Sequence, residues 1–323
     1  MSPLFHSLTK QRTVVLQIGR IVGGYNHSCF IISHYYRPCL RNLASTATLI
    51  NKNLAIKDYT MQTTSPNLII TPLPAFDDNY IWCIEEAQSD SFIVVDPGDA
   101  QVVINHALKI QKKLSAILVT HHHADHTGGI KALIDHFGKL PIYGPVNSPY
   151  RDITYSVKEE DMVDVLGAQF NVIEIPGHTL DHIAYYNNQQ GVLFCGDTLF
   201  LAGCGRVFEG TPEQMHHSLN KIMALPAMTT AYPTHEYSLA NLDFAMAVDG
   251  NNEALKLAQE MCKEIRAENE VTLPTRLAQE AAINPFVRTH DKAVIASAER
   301  YKNQTLQHPN EVFAALREWK NNF

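Results

Sequence analysis

Three features of this 323-residue chain predict an α/β domain followed by a smaller all-helical one. Between residues 68 and 236, short β-rich runs alternate with turns and helical patterns. Beyond residue 238 the apolar spacing is helical only. The chain is 45% hydrophobic, enough for one large core or two modest ones.

In order, "NLIITPL", "NYIWCIE" and "SFIVVD" read as strands, and "DPGD" breaks the chain. "AQVVINHALKIQKKL" has helical spacing, and "SAILVT" is a buried-type strand. "GGIKALIDHFG" reads as a helix closed by Gly138. "FNVIEI", "IAYYN", "GVLFCG" and "TTAYPT" are further strands. The tail gives helices over "LANLDFAMAVDG", "NEALKLAQEMCKEIRAEN", "DKAVIASAERY" and "NEVFAALREWK", with Pro309 in the first turn of the last. The expected divisions are 1–67, 68–236 and 237–323.

The first of these is basic. Seven Lys/Arg and no acid occur in residues 1–57, while the remainder holds 19 basic against 33 acidic residues. This composition suits a poorly structured or transit-like extension, with Met61 a plausible start for the compact part. The acidic remainder argues against a nucleic-acid binder. Cys29, Cys39, Cys83, Cys195, Cys204 and Cys262 show no CxxC spacing and read as reduced residues of an intracellular protein. The most apolar run, "TVVLQIGRIVGGYNHSCFIIS", is interrupted by Arg20, Asn26 and His27, so no membrane span is expected.

The chemistry lies at four strand ends. "SAILVT" runs into His121-His122-His123-Ala124-Asp125-His126, "FNVIEI" into Pro176-Gly177-His178, "GVLFCG" into Asp197 and "TTAYPT" into His235. Imidazoles and carboxylates are ligands for a borderline metal such as zinc. His121 and His123, two apart in an extended segment, point the same way, and His122 points away. Two metals then become plausible. One would take His121, His123 and His178; the other Asp125, His126 and His235; Asp197 could bridge both. His182, beside Asp181 in "HTLDH", competes with His178, and spacing does not choose between them. Asp96 could support the site from behind or serve only its turn. His6, His27, His34, His136, His216, His217, His290 and His308 read as structural or solvent-exposed.

"FDDNYIW", "VVDPGD", "THHHADHTGG", "PGHTLDHI", "GDTLFLAGCGRVFEG", "HEY" and "LREWKNNF" together resemble hydroxyacylglutathione hydrolase, or glyoxalase II, of the metallo-β-lactamase superfamily. The resemblance covers residues 68–323. It implies an αββα sandwich with a dinuclear site at one edge and a helical glutathione-binding domain. It selects His178 over His182. It implies substrate contacts at Arg206, Tyr237, Arg317 and Lys320, and at Phe208, where some members have tyrosine. "TLDH" departs from the commoner TxGH. The implied reaction is hydrolysis of S-lactoylglutathione to glutathione and lactate, the second step of methylglyoxal detoxification. A hydroxide held between two divalent ions would attack, with Asp125 and Asp197 as catalytic carboxylates. Zinc is expected foremost, with iron or manganese acceptable to the same ligands. The expected setting is a monomer acting on a small molecule in the cytoplasm, or in the mitochondrion if the extension is a transit peptide. A glutathione persulfide dioxygenase on the same fold is the alternative.

Overall fold

A computed structural model describes residues 67–323. The basic extension and Met61 lie outside the described residues. The first half runs β1 (Leu68–Ala75), β2 (Asn79–Glu86), β3 (Ser91–Val95), α1 (Ala100–Ile110), β4 (Lys113–Leu118), α2 (Ala124–Thr127), α3 (Ile130–Phe137), β5 (Ile142–Pro145) and β6 (Tyr155–Val157). These six strands form one sheet in sequence order. The second half runs β7 (Met162–Val165), β8 (Ala168–Glu174), β9 (Ile183–Asn187), β10 (Val192–Gly196), a two-residue hairpin of β11 (Leu199–Phe200) and β12 (Gly203–Cys204), α4 (Pro212–Met223) and β13 (Thr230–Pro233). The remainder is α5 (Ser238–Asp249), α6 (Glu253–Ala267), β14 (Thr275–Arg276), α7 (Leu277–Ile283), α8 (Lys292–Lys302) and α9 (Pro309–Asn321). The second sheet is ordered β14-β13-β10-β9-β8-β7.

Strand alternation divides the apolar residues into layers. On β2, Tyr80, Trp82 and Ile84 enter the core between the sheets, where they meet Phe170, Tyr185 and Phe194 of the opposite sheet. Ile81 and Cys83, between them, face α1 and α3 through Val103 and Leu133. On β10, Val192 and Phe194 point inward, while Leu193 and Cys195 pack against α4 and α9 through Leu219 and Phe313. The result is the αββα sandwich of the metallo-β-lactamase fold, with a helical region at the C-terminus.

Two sequence expectations are corrected. The helical pattern from Ala100 to Leu114 overruns: Gln111 takes a left-handed conformation and caps α1, and Lys113 opens β4. Leu114 is buried as a strand residue of the outer core. The tail is also not free of strand, because β14 pairs antiparallel with β13. Helix α4, absent from the sequence reading, is started by a capping box of Thr211 and Gln214 with Pro212 in its first turn.

Candidate metal centre

The strand ends converge at one edge of the sandwich. β4 leads to His121, buried at 0% exposure, and His123. The four-residue α2 then turns Asp125 and His126 back toward the same point. His178 follows β8, Asp197 follows β10 and His235 follows β13. The two sheets are stitched together here, since the Tyr80 amide donates to the Thr234 carbonyl over 2.6 Å.

His121 Nε2, His123 Nδ1 and His178 Nε2 form a tight group: both Nε2 atoms lie 3.1 Å from His123 Nδ1. The opposite edges of the rings fix the tautomers. Thr120 gives its hydroxyl proton to Asp96 Oδ2 over 2.7 Å, so it can only accept from His121 Nδ1, 3.1 Å away. His178 Nδ1 donates to the Arg206 carbonyl over 2.7 Å. Both Nε2 atoms are therefore lone pairs aimed at a common point. The spacing approaches the ~3.3 Å edge of a tetrahedron of nitrogens around zinc at ~2.0–2.1 Å. Burial, then neighbouring imidazoles, holds His121 and His123 low, and burial holds His178 low, as neutral ligands require.

The second group is anionic. His126 Nε2 lies 3.4 Å from Asp125 Oδ2 and 3.5 Å from Asp197 Oδ1. His235 Nε2 lies 3.4 Å from Asp125 Oδ2 and 3.3 Å from Asp197 Oδ2. Asp197 Oδ2 also lies 3.4 Å from His178 Nε2, so this carboxylate touches both groups. His126 Nε2 and Asp197 Oδ1 are buried and make no hydrogen bond among the described residues. Burial opposes charge on His126 and His235, but Asp197 and its neighbours push His126 far up and His235 to about 10. Asp125 and Asp197 are held as carboxylates by the histidines despite burial. The pocket demands positive charge, and divalent cations supply it without protonating the ligands. The donor set fits a pair of such ions.

His182 does not join the cluster. Its Nε2 accepts the Asp197 amide over 3.1 Å, its Nδ1 donates to the Ile183 carbonyl, and its ring stacks on His121. It orients the Asp197 backbone. Gly196 makes room for this: it has φ +48°, and a Cβ there would lie 2.5 Å from Thr120 Oγ1. His122 points away, with Nδ1 bonded to Asp181 Oδ1 at 2.9 Å and Nε2 at 3.3 Å from Glu209 Oε1. Asp181, the departure from TxGH, thus ties two loops together. Asp96 supports the cluster, bonding Thr120 and lying 3.0 Å from His126 Nδ1. Asp78, which accepts from His235 Nδ1 over 2.7 Å, and Asn79, which donates to Asp125 Oδ2 over 3.0 Å, were missed by sequence reasoning. Their only signal was "FDDNY".

A cleft of about 370 Å³ opens beside the cluster, lined by His123, Asp125, His178, Asp197, Arg206, Phe208, His235 and Tyr237 among others. Tyr237 stacks parallel on His235 with ring centroids 4.7 Å apart. Phe208 is 61% exposed and sets its edge against His123 and His178. The Arg206 guanidinium lies 5.9 Å from the Phe208 ring.

Arg317 and Lys320 stand outside this wall. Arg317 is buried on α9, donating to the Cys204 carbonyl over 2.9 Å with its guanidinium over Phe286. Lys320 donates to the Ala240 carbonyl over 2.6 Å, between Phe244 and Phe323. Of the three cations that the resemblance implies, Arg206 alone is among the residues lining this cleft. Arg317 sits behind the strand that leads to Arg206.

The model for the metallo-beta-lactamase superfamily matches residues 76–235, and that for the hydroxyacylglutathione hydrolase C-terminus matches residues 236–323. A relative from Pseudomonas aeruginosa named hydroxyacylglutathione hydrolase is 49% identical over 258 residues, covering 79% of this chain and 99% of its own length. One of the same name from Vibrio cholerae is 46% identical over 256 residues, covering 79% and 100%. Among solved structures, ETHE1 from Myxococcus xanthus matches with a TM-score of 0.53 at 24% identity, covering 78% of this chain and 98% of its own, a likeness of fold alone. Identity near one half, spanning both the sandwich and the helical region, means that this chain belongs to the hydroxyacylglutathione hydrolase family of the metallo-β-lactamase superfamily.

Proposed function

We propose that His121, His123 and His178 hold one metal ion, that Asp125, His126 and His235 hold a second, and that Asp197 is shared. The chain is a thioester hydrolase acting on glutathione thioesters, as the family name states. We take S-lactoylglutathione as the substrate and zinc as the first metal to test, with iron or manganese acceptable to the same donors. The observation that carries the assignment is the convergence of imidazole lone pairs and the unpartnered, buried Oδ1 of Asp197 on one cluster of ligand-type residues. When bound, divalent ions at such a site lower the pKa of water and polarise a carbonyl.

The chain's own residues do the rest. Asp125 and Asp197, both held ionised, accept hydrogen bonds from water in the cleft and orient it. Phe208 and Tyr237 are apolar walls for the thioester arm, which exclude bulk water from it. Arg206 supplies the positive charge that a substrate with two carboxylates needs in an otherwise acidic protein, and Lys320 and Arg317 add to that field from the helical side. The leaving thiolate has a solution pKa near ~8.5 and needs no dedicated acid. Four of the cysteines, Cys83, Cys195, Cys204 and Cys262, are buried, and none is required as a nucleophile.

The dioxygenase alternative is not favoured, because the relatives at 46–49% identity carry the hydrolase name. We further propose that the chain acts as a monomer in the cytoplasm, or in the mitochondrion if the basic extension directs it there. Among the described residues no helix is long and apolar enough to cross a membrane. Thiol release from S-lactoylglutathione, measured alongside metal content, tests the reading. Oxygen uptake with glutathione persulfide and no thiol release would favour the alternative.

A further inference from the structure

Between Asp197 and Arg206 the chain makes the β11–β12 hairpin. Buried side chains from three helices of the C-terminal region grip the backbone of this hairpin. Asn284, at the end of α7, donates to the carbonyls of Phe200 at 3.4 Å and Gly203 at 2.9 Å. Asn241 of α5 donates to the Leu201 carbonyl at 3.2 Å. Glu280 of α7 accepts the Ala202 amide at 2.9 Å. Arg317 of α9 donates to the carbonyls of Cys204 at 2.9 Å and Gly205 at 3.4 Å. Every residue from Phe200 to Gly205 is held in this way.

The cost of this arrangement argues that it has a purpose. Glu280 is fully buried with no cationic partner among the described residues, and burial pushes its carboxyl up to about 7. Besides the Ala202 amide it bonds Thr275 and Asn284. Ala202 has φ +53°, a left-handed conformation that a residue with a Cβ adopts only when its surroundings impose it. The hairpin in turn rests on the centre. A Cβ on Gly205 would lie 1.9 Å from the Asp197 carbonyl oxygen and 3.1 Å from His178 Nδ1. The next residue, Arg206, supplies the carbonyl that orients His178 and the guanidinium beside the cleft.

We infer that Glu280 is a positioning residue for substrate specificity: through the Ala202 amide, and with Asn241, Asn284 and Arg317, it fixes the hairpin that presents Arg206 and Phe208 to the glutathione moiety. The helical region then acts on the substrate through the hairpin backbone, besides any contact of its own. The inference rests on the thioesterase reading above.

The test compares two thioesters on the full chain loaded with metal. One is S-lactoylglutathione. The other is the lactoyl thioester of N-acetylcysteamine, which lacks the charged arms of glutathione. Glu280→Met removes the acceptor at similar volume. It should lower kcat/KM for the glutathione thioester by about tenfold, chiefly through KM, while the truncated thioester stays within about twofold. Metal content should be unchanged. Glu280→Gln should restore discrimination, because its carbonyl oxygen can serve Ala202 and Asn284 while its amide turns to the Thr275 hydroxyl. If Glu280→Met does not fold, Asn241→Ala, which deletes the bond to Leu201, should show the same selective loss at about threefold. Equal losses on both thioesters, or a lower Tm with both kcat/KM values unchanged, would overturn the inference. Failure of the unaltered, metal-loaded protein to hydrolyse either thioester would instead overturn the thioesterase reading, and the inference with it.

Discussion

His178 and Arg206 share one hydrogen bond: the imidazole Nδ1 donates to the arginine carbonyl over 2.7 Å. The ring aimed at the metal centre is thereby fixed by the backbone of a residue whose side chain lines the substrate cleft. Backbone and side chain can be separated by mutation. Arg206→Ala keeps the carbonyl and removes the guanidinium. It should raise KM for S-lactoylglutathione about tenfold with kcat little changed and metal content intact. Loss of metal in this variant would contradict the separation.

Asp197 touches both ligand groups through Oδ2, 3.4 Å from His178 and 3.3 Å from His235, while Oδ1 faces His126. Asp197→Ala should abolish turnover and reduce bound metal below two equivalents per chain. Full metal content and activity in this variant, measured by elemental analysis and thiol release, would remove the shared role.

His122 lies inside the densest histidine run yet faces away. His122→Ala should leave two metal equivalents bound. It should destabilise the fold by about 1–3 kcal/mol, because Asp181 is buried and loses a partner. Denaturant titration reads the stability change. A fall in metal stoichiometry comparable to that of His121→Ala would place His122 among the ligands instead.

Burial, and then the adjacent Arg317, lowers the Lys320 ammonium to about 8. A lysine loses its charge as pH rises through its pKa, so its pull on an anionic substrate is present below pH 8 and fades above it. KM for S-lactoylglutathione should therefore rise above pH 8. Lys320→Arg, which stays charged, should flatten that rise. Identical KM profiles for the two proteins would exclude Lys320 from substrate attraction.

The centre was legible in the sequence because its signals are local. HxHxDH follows an apolar run, and three later strands each end on a ligand-type residue. The choice of His178 over His182 came only from family resemblance, since both follow the same strand end. In the structure it is a matter of hydrogen bonding: both nitrogens of His182 are spent on Asp197 and Ile183. Asp78 and Asn79 were not legible, because their partners His235 and Asp125 are 157 and 46 residues away. The same holds for the grip of Asn241, Glu280 and Asn284 on the hairpin, made across 40 to 84 residues. β14 was hidden for another reason. Two residues are too few to show alternation, and the strand exists only because β13 offers an edge. The resemblance implies a substrate contact at Arg317, but nothing in the sequence shows that α9 turns its guanidinium inward onto the Cys204 carbonyl, 113 residues away.

The central claim is that seven His and Asp side chains assemble a dinuclear centre for thioester hydrolysis. Its most direct test is thiol release from S-lactoylglutathione by purified protein whose metal content is titrated from zero to two equivalents. The chelated protein should release no thiol, release should rise as the second equivalent binds, and Asp197→Ala should give none at any loading. Full thiol release from the metal-free protein, or none from protein carrying two equivalents, would contradict it.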